Sequence, residues 1–216
     1  MRAIRALLIL ALVASTATPA LSAPTVVRKV LENGITVEIS DAIVTAVFED
    51  GFYIEDKERT SGIKVFMQSP AVTEGQAVTV TGVMTTLNDE QQIINAKVVA
   101  IAAAGTCIQP LMLSNKALGS GSGLTGVAKG TGLGNVGLLV KIWGRVKEKG
   151  ASPRPYLVID DGSGVGVKVL VPSAADLPEV GRFITVTGIS GVESNSTGRR
   201  RLLRARRAAD ISIPQQ

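Results

Sequence analysis

The chain has no histidine, one cysteine and only 3% aromatic residues among its 216. The missing histidine removes Ser-His-Asp and Cys-His triads, imidazole-based zinc sites and the usual general base near neutral pH. A single cysteine, Cys107, excludes an intrachain disulfide and any thiolate metal cluster. It is read as an unpaired thiol, the alternative being a handle for an intermolecular disulfide. A paired-carboxylate glycosidase survives these exclusions, but it needs a deep cleft lined by sugar-stacking aromatics. One Trp, two Tyr and four Phe are little material for that. The expectation is a protein without catalysis, cofactor or metal. Long apolar runs are also missing, and a membrane span needs about twenty such residues. With 45% hydrophobic and 19% charged residues, the composition is neither that of a disordered tail nor of a membrane bundle.

What is present begins with a short apolar stretch, Ala6 to Ala14, behind Arg2 and Arg5 and ahead of small residues and prolines up to Ala23. A charged start, a brief apolar centre and a small-residue cleavage zone form an export signal. Pro19 stops the helix from continuing. Residues 1–23 are expected to be removed after Ala17, Ala20 or Ala23, leaving a secreted or periplasmic chain without a transmembrane anchor. No cysteine lies nearby to take a lipid.

Charge is unevenly spread. Residues 24–104 hold 6 Lys/Arg against 11 Asp/Glu, whereas residues 137–216 hold 13 against 7, so the two ends carry −5 and +6.

The ends are nevertheless related. Glu74-Gly75-Gln76-Ala77-Val78-Thr79-Val80-Thr81-Gly82 returns as Val180-Gly181-Arg182-Phe183-Ile184-Thr185-Val186-Thr187-Gly188. Upstream, Ile54-Glu55-Asp56 and Gly62-Ile63-Lys64-Val65 return as Ile159-Asp160-Asp161 and Gly166-Val167-Lys168-Val169. Three echoes in one order at a near-constant offset indicate duplication. Each copy reads as five strands broken by turns. The first copy gives Ile35 to Phe48, Phe52 to Asp56, Gly62 to Gln68, Gln76 to Thr86 and Gln91 to Ile101. The second gives Leu138 to Lys147, Tyr156 to Asp160, Val165 to Val171, Arg182 to Val192 and Arg201 to Ile211. Ile35, Val37, Ile39, Ile43 and Val47 are placed on one face of the long first strand. Asn33-Gly34 is a hairpin turn, with Val26 to Leu31 as a candidate leading strand. Gly82 and Gly188 suggest bulges or sharp bends. No segment after the signal shows a helical period. The fold class is therefore all-β: two tandem five-stranded OB-fold-like barrels, 24–104 and 137–216, joined by a Gly/Ser-rich connector, 105–136. The apolar piece Pro110 to Leu118 is expected to make that connector partly ordered, packed on the barrels or their joint.

Gly51-Phe52-Tyr53-Ile54-Glu55-Asp56, Ser61-Gly62-Ile63-Lys64-Val65 and Glu74 to Gly82 resemble exported bacterial OB-fold domains related to nucleic-acid-binding modules, and Pro155 to Gly164 looks similar. These motifs mark strand turns, so the resemblance implies the fold more than the partner.

Gly132-Leu133-Gly134-Asn135-Val136-Gly137 matches G-x-G-x-x-G, but a strand follows it where a dinucleotide site needs a helix, so it reads as a loop entering the second barrel. Glu55-Asp56-Lys57-Glu58 and Asp160-Asp161-Gly162-Ser163-Gly164 lack EF-hand spacing and read as turns, with weak calcium binding as the alternative. Asn195-Ser196-Thr197 matches a glycosylation sequon, which carries little meaning in a bacterial-looking chain.

Strand alternation gives the candidate binding face. With Phe52, Ile54, Ile63, Val65 and Met67 inward, Tyr53, Glu55, Lys64 and Phe66 point out, and Tyr53, Lys64 and Phe66 form a candidate stacking platform, the alternative being that these positions pack against the partner barrel or the connector. The second copy offers Val158, Asp160, Lys168 and Leu170, keeping the lysine without the aromatics. Near the C-terminus, Arg199, Arg200, Arg201, Arg204, Arg206 and Arg207 supply an electrostatic face suited to phosphate, sulfate or carboxylate. Edge protection and docking on the acidic first barrel are the alternative use of those arginines. The functional expectation is an exported, non-catalytic module recognising an anionic polymer, either single-stranded nucleic acid or an oligosaccharide such as an anionic polysaccharide. The alternative is a structural or protein-interaction module with a protein partner.

Overall fold

A computed structural model describes residues 32–88, 90–102, 105, 107–120, 131–173, 177–196 and 198–214. The export signal and the candidate leading strand lie outside the described residues, as do parts of the connector.

Alternating β-branched residues and frequent turns produce strands nearly throughout. In the first copy these are β1 (Thr36–Phe48), β2 (Gly51–Glu55), β3 (Gly62–Val65), β4 (Ala77–Leu87) and β5 (Glu90–Ala102). They close in the order β1-β2-β3-β5-β4, with β3 and β5 parallel and the other pairs antiparallel. After β6 (Leu111–Met112), the second copy contributes β7 (Leu139–Gly150), β8 (Tyr156–Asp160), β9 (Val167–Leu170), β10 (Phe183–Asn195) and β11 (Gly198–Ala205). A 3-10 turn at Ala208–Asp210 then leads to β12 (Ile211–Ser212). Here β7-β8-β9-β11-β10 closes through the β10–β7 pair, and β6 and β12 add to β7 and β10. The two barrels repeat one topology, including the parallel pair of third and fifth strands. Both are the expected five-stranded OB-fold-like barrels.

Each barrel fills its own interior. Phe52, Ile54, Ile63, Val65, Val78, Val80 and Ile93 are buried in the first, and Leu157, Ile159, Val167, Val169, Ile184 and Val186 occupy the matching positions of the second. The first strand departs from the expected single face. Its register slips between Ile39 and Ala42, where Asp41 takes a φ of 57°. The extra residue shifts the parity, so Val37 and Ile39 are followed inward by Ala42 and Val44, and Ile43 does not join the barrel's core cluster. Gly82 lies where the β4–β5 register slips, as expected of a bulge. At Gly188 the β10–β11 register is continuous, and a Cβ there would fall 2.5 Å from the Arg204 carbonyl oxygen. That glycine serves close backbone packing.

The described part of the connector belongs to the second barrel. Leu111 and Met112 pair with Val140 and Lys141, and Leu118 is wholly buried in that barrel's core. Asn115 donates through Nδ2 to the carbonyls of Ile159 (3.0 Å) and Val165 (2.9 Å). The Asn135 carboxamide accepts from the Gly119 N–H at 2.9 Å and the Ser190 hydroxyl at 2.7 Å. Buried amides thus satisfy backbone groups that an irregular segment leaves open.

Gly137, the last glycine of the G-x-G-x-x-G string, has a role unrelated to nucleotides. It sits against Gly62 of the first barrel, and a Cβ on either residue would lie 2.4 Å from the other's carbonyl oxygen. Gly62→Ala is therefore expected to push the barrels apart and cost about 1–3 kcal/mol. A chain of this size should lose roughly 2–4 °C in melting temperature per kcal/mol. A thermal melt checks this, and an unchanged midpoint would show that the backbone approach is dispensable.

Candidate functional site

Strand alternation correctly turns Tyr53 and Glu55 away from the first barrel's core, but the side they turn to is covered. All five β2 residues are buried, because the second barrel packs on the outer face of β1, β2 and β3. Tyr53 is 3% exposed and packs with Ala46, Leu139 and Ile189. Its ring meets Phe48 edge-on at 5.9 Å. Lys64 is buried too, while Phe66 stays 37% exposed. Tyr53 and Lys64 thus take the alternative place, packed at an inter-barrel joint, and the open platform of Tyr53, Lys64 and Phe66 does not form.

The joint is ionic as well as apolar. The Asp50 carboxylate accepts from Lys64 Nζ at 2.7 Å and from Arg204 Nη2 at 2.7 Å, and the Arg204 guanidinium stacks 3.7 Å over the Phe48 ring. Burial pushes the Asp50 carboxyl up, but the hydrogen bonds and charges of Arg204 and Lys64 outweigh it and hold the group well below the usual carboxylate range. Arg206 donates to Glu74 (2.9 Å), the Thr45 carbonyl (3.0 Å) and Asp210 (2.9 Å), and Arg207 also meets Glu74. Arg204, Arg206 and Arg207 therefore dock on the acidic first barrel, the alternative use weighed for the cluster, and do not form one open patch with the rest.

Two further acids, Glu55 buried and Glu90 half-buried, complete the joint. Glu55, 1% exposed, accepts from the Leu139 N–H through Oε1, while its Oε2 has no hydrogen-bond partner within 3.5 Å among the described residues. Burial pushes its carboxyl up to about 7, against that hydrogen bond. Glu90 accepts from the Tyr53 hydroxyl at 2.6 Å, and burial raises both groups above their ordinary values. The acidic turns serve as acceptors: Asp56 takes the N–H and hydroxyl of Thr60 and Ser61, and Asp160 and Asp161 take the N–H groups of Gly162 and Ser163. No cluster of acidic or thiol groups suited to a metal occurs among the described residues.

The corresponding face of the second barrel is open. Alternation on β8, β9 and β11 turns Tyr156, Val158, Lys168, Leu170, Arg200 and Leu202 outward, and Val158 pairs with Lys168 while Leu202 pairs with Lys168 across β9–β11. Lys168 Nζ lies 5.2 Å from the Tyr156 ring centroid, a cation–π distance. Tyr156 lies across Gly150, where a Cβ would fall 2.4 Å from the ring, and its hydroxyl donates to Glu148 at 2.5 Å. That hydrogen bond first, then burial, raises the phenol's pKa. Glu193 accepts from Lys168 at 2.9 Å and from Arg200 at 2.9 Å. Arg201 instead donates to the Lys116 carbonyl at 3.1 Å, and Arg199 pairs in register with Ser194. The expected second-copy face thus regains an aromatic. Tyr156 has the same parity as Val158, and the glycine opposite it, Gly150, was the available signal.

Between this face and the joint lies a cleft of about 480 Å³. Tyr53, Lys64, Asp50 and Glu90 line it from one barrel, and Arg204 and Glu193 from the other. Of the expected site residues, the fold brings Tyr53, Lys64 and Arg204 into this cleft and groups Lys168 with Arg200 beside it. Phe66, Arg206 and Arg207 stand elsewhere. Cys107 is exposed, with Gln109 Nε2 3.4 Å from its Sγ.

No protein-family model matches the sequence, and no curated protein does. Solved structures that are similar include a murine DNA-binding protein bound with double-stranded DNA, at 12% identity over 79% of this chain and 94% of that one, with a TM-score of 0.39. The tetrameric p202 HIN2 structure is 15% identical over 85% and 95%, with a TM-score of 0.40. A replication protein A heterotrimer bound to single-stranded DNA is 12% identical over 85% of this chain and 49% of that one, with a TM-score of 0.32.

Proposed function

We propose that this chain is an exported, non-catalytic module that binds a single-stranded polyanion, nucleic acid foremost, on the β8–β9–β11 face of its second barrel. One observation carries the reading: Tyr156 lies on an open sheet face with Lys168 Nζ 5.2 Å from its ring centroid and Arg200 on the next strand but one. A base stacks on the aromatic side chain, and the cations meet the adjoining phosphates. Glu193 holds both cations in place until phosphate oxygens take over as partners. Export rests on Arg2, Arg5 and the apolar run Ala6 to Ala14.

A salt titration of binding to a labelled oligothymidylate tests this. Each phosphate neutralised contributes roughly −0.7 to the slope of log affinity on log salt for a single strand. Tyr156→Ala is expected to weaken binding at low salt by about tenfold, since stacking on an aromatic is worth about 1–3 kcal/mol per base. Wild-type affinity in that variant would overturn the assignment of the face. Preference for a neutral glycan would replace nucleic acid by oligosaccharide. A protein-interaction role has one observation in its favour: the equivalent face of the first barrel already docks on a protein surface, the second barrel.

A further inference from the structure

The other side of the second barrel carries a second set of aromatic and basic side chains. On β7 the core takes Val140, Ile142 and Val146, so Lys141, Trp143 and Arg145 point the other way, with Lys147 exposed beyond them. On β10 the core takes Ile184 and Val186, leaving Phe183 and Thr185 on that same outer side. The register sets Arg145 opposite Phe183, Trp143 opposite Thr185 and Lys141 opposite Thr187. Trp143 and Phe183 are thus diagonal neighbours, roughly 7–8 Å apart by sheet geometry. The edge strands widen this surface, Met112 pairing beside Lys141 and Ser212 beside Thr185. Phe183 is 42% exposed and Met112 68%.

Charge sets this side apart from the β8–β9–β11 face. There, Glu193 neutralises both Lys168 and Arg200. Two acids border the β7–β10 side, Glu148, which accepts from the Tyr156 hydroxyl, and Asp160, opposite Arg145 in register, which accepts from the N–H groups of its own turn; Lys141, Arg145 and Lys147 have no carboxylate partner among the described residues. Arg145 donates only to the Gly181 carbonyl, at 3.1 Å, which orients the guanidinium without neutralising it. A sheet face that alternates unneutralised cations with the chain's only tryptophan and an exposed phenylalanine suits a flexible anionic strand with flat, stackable groups.

We infer that the β7–β10 side of the second barrel is a separate binding track for single-stranded nucleic acid, with Trp143 and Phe183 stacking on bases and Lys141, Arg145 and Lys147 meeting phosphates. The track rests on the reading of the ligand as a single-stranded polyanion, but not on the Tyr156 face. One barrel then engages a strand on two sides, and a longer strand passes from one to the other around the barrel.

The experiment measures stoichiometry and affinity of the full chain with a labelled oligothymidylate of about ten nucleotides, inside the roughly 4–16 that one OB fold covers. Two strands are expected to bind per wild-type molecule at low salt. Trp143→Ala with Arg145→Ala should reduce that to one, and Lys141→Ala with Lys147→Ala should weaken the second site at least about fivefold without touching either aromatic. Tyr156→Ala should remove the other site and leave this one. A wild-type stoichiometry of one that is unaffected by both β7 variants but lost in Tyr156→Ala overturns this track and leaves the proposed function standing. Loss only in the β7 variants has the reverse meaning. Absence of any oligonucleotide binding overturns both. Concentration-dependent self-association that the Lys141/Lys147 variant abolishes would assign the surface to the acidic barrel of a second copy and likewise overturn the track.

Discussion

Replacing Asp50 by alanine is expected to destabilise the fold by about 1–3 kcal/mol, because breaking a part-buried ion pair strands its partners while solvent screens part of the loss. Here two cations are stranded at once. Lys64 and Arg204 belong to different barrels and both donate to this carboxylate. Arg204 keeps the Phe48 ring, but buried Lys64 loses its ion-pair partner and is left with only Glu90, farther along the cleft, as an acid. Asp50 is held well below the usual carboxylate range, so its contribution is fully present above the unfolded value near 4 and disappears as pH falls through the folded one. Wild type should therefore lose stability in strong acid, and Asp50→Ala should lack that part of the loss. Urea melts from neutral to acid pH measure both. Equal midpoints for the two proteins at pH 7 would mean that the bridge contributes nothing net.

Glu55 has the opposite sign. Its folded value of about 7 lies above the unfolded carboxylate value of about 4.3, so the folded state binds the proton more tightly. Between those values stability falls as pH rises, by about 4 kcal/mol in all. Glu55→Gln keeps an oxygen for the Leu139 N–H and removes the charge, so it should melt higher than wild type at pH 8 and close to wild type at pH 4. Roughly 2–4 °C per kcal/mol makes the difference readily measurable. A constant offset across the whole range would show that Glu55 stays ionised in the joint. Taken together, Asp50 and Glu55 place the joint's greatest stability in mildly acid solution, between the two titrations.

The barrels were legible because their signals are local and doubled. Alternation, turn glycines and the Thr-Val-Thr-Gly echo each mark a strand, and the second copy repeats the first in order. The bulge at Asp41 was not legible, since a positive φ at an aspartate leaves no pattern in the residues around it, and it moved Ile43 off the expected face. The site was legible only as parity. Tyr53 and Lys64 do point away from their own core, but alternation cannot say what stands beyond a strand, and here it is another barrel. The opposite charges of the two ends were the available clue. Residues 24–104 and 137–216 complement each other, and Asp50 and Glu74 meet Arg204, Arg206 and Arg207. Arginine counts alone could not apportion that cluster between joint and surface, because Arg200 and Arg204 share one side of β11 and only Arg204 reaches the first barrel.

The burial of the first barrel's β2–β3 face also bears on valency. Two linked binding domains ordinarily gain avidity, the second engaging at the high effective concentration that its tether sets. In this doublet the first copy's face is occupied from within, so the repeat does not double the number of equivalent faces offered to a long strand. On the proposed function, a gain in affinity with strand length comes from different sides of one barrel and depends on how the strand bends around it. The length and flexibility of the tether between the copies should then have little influence.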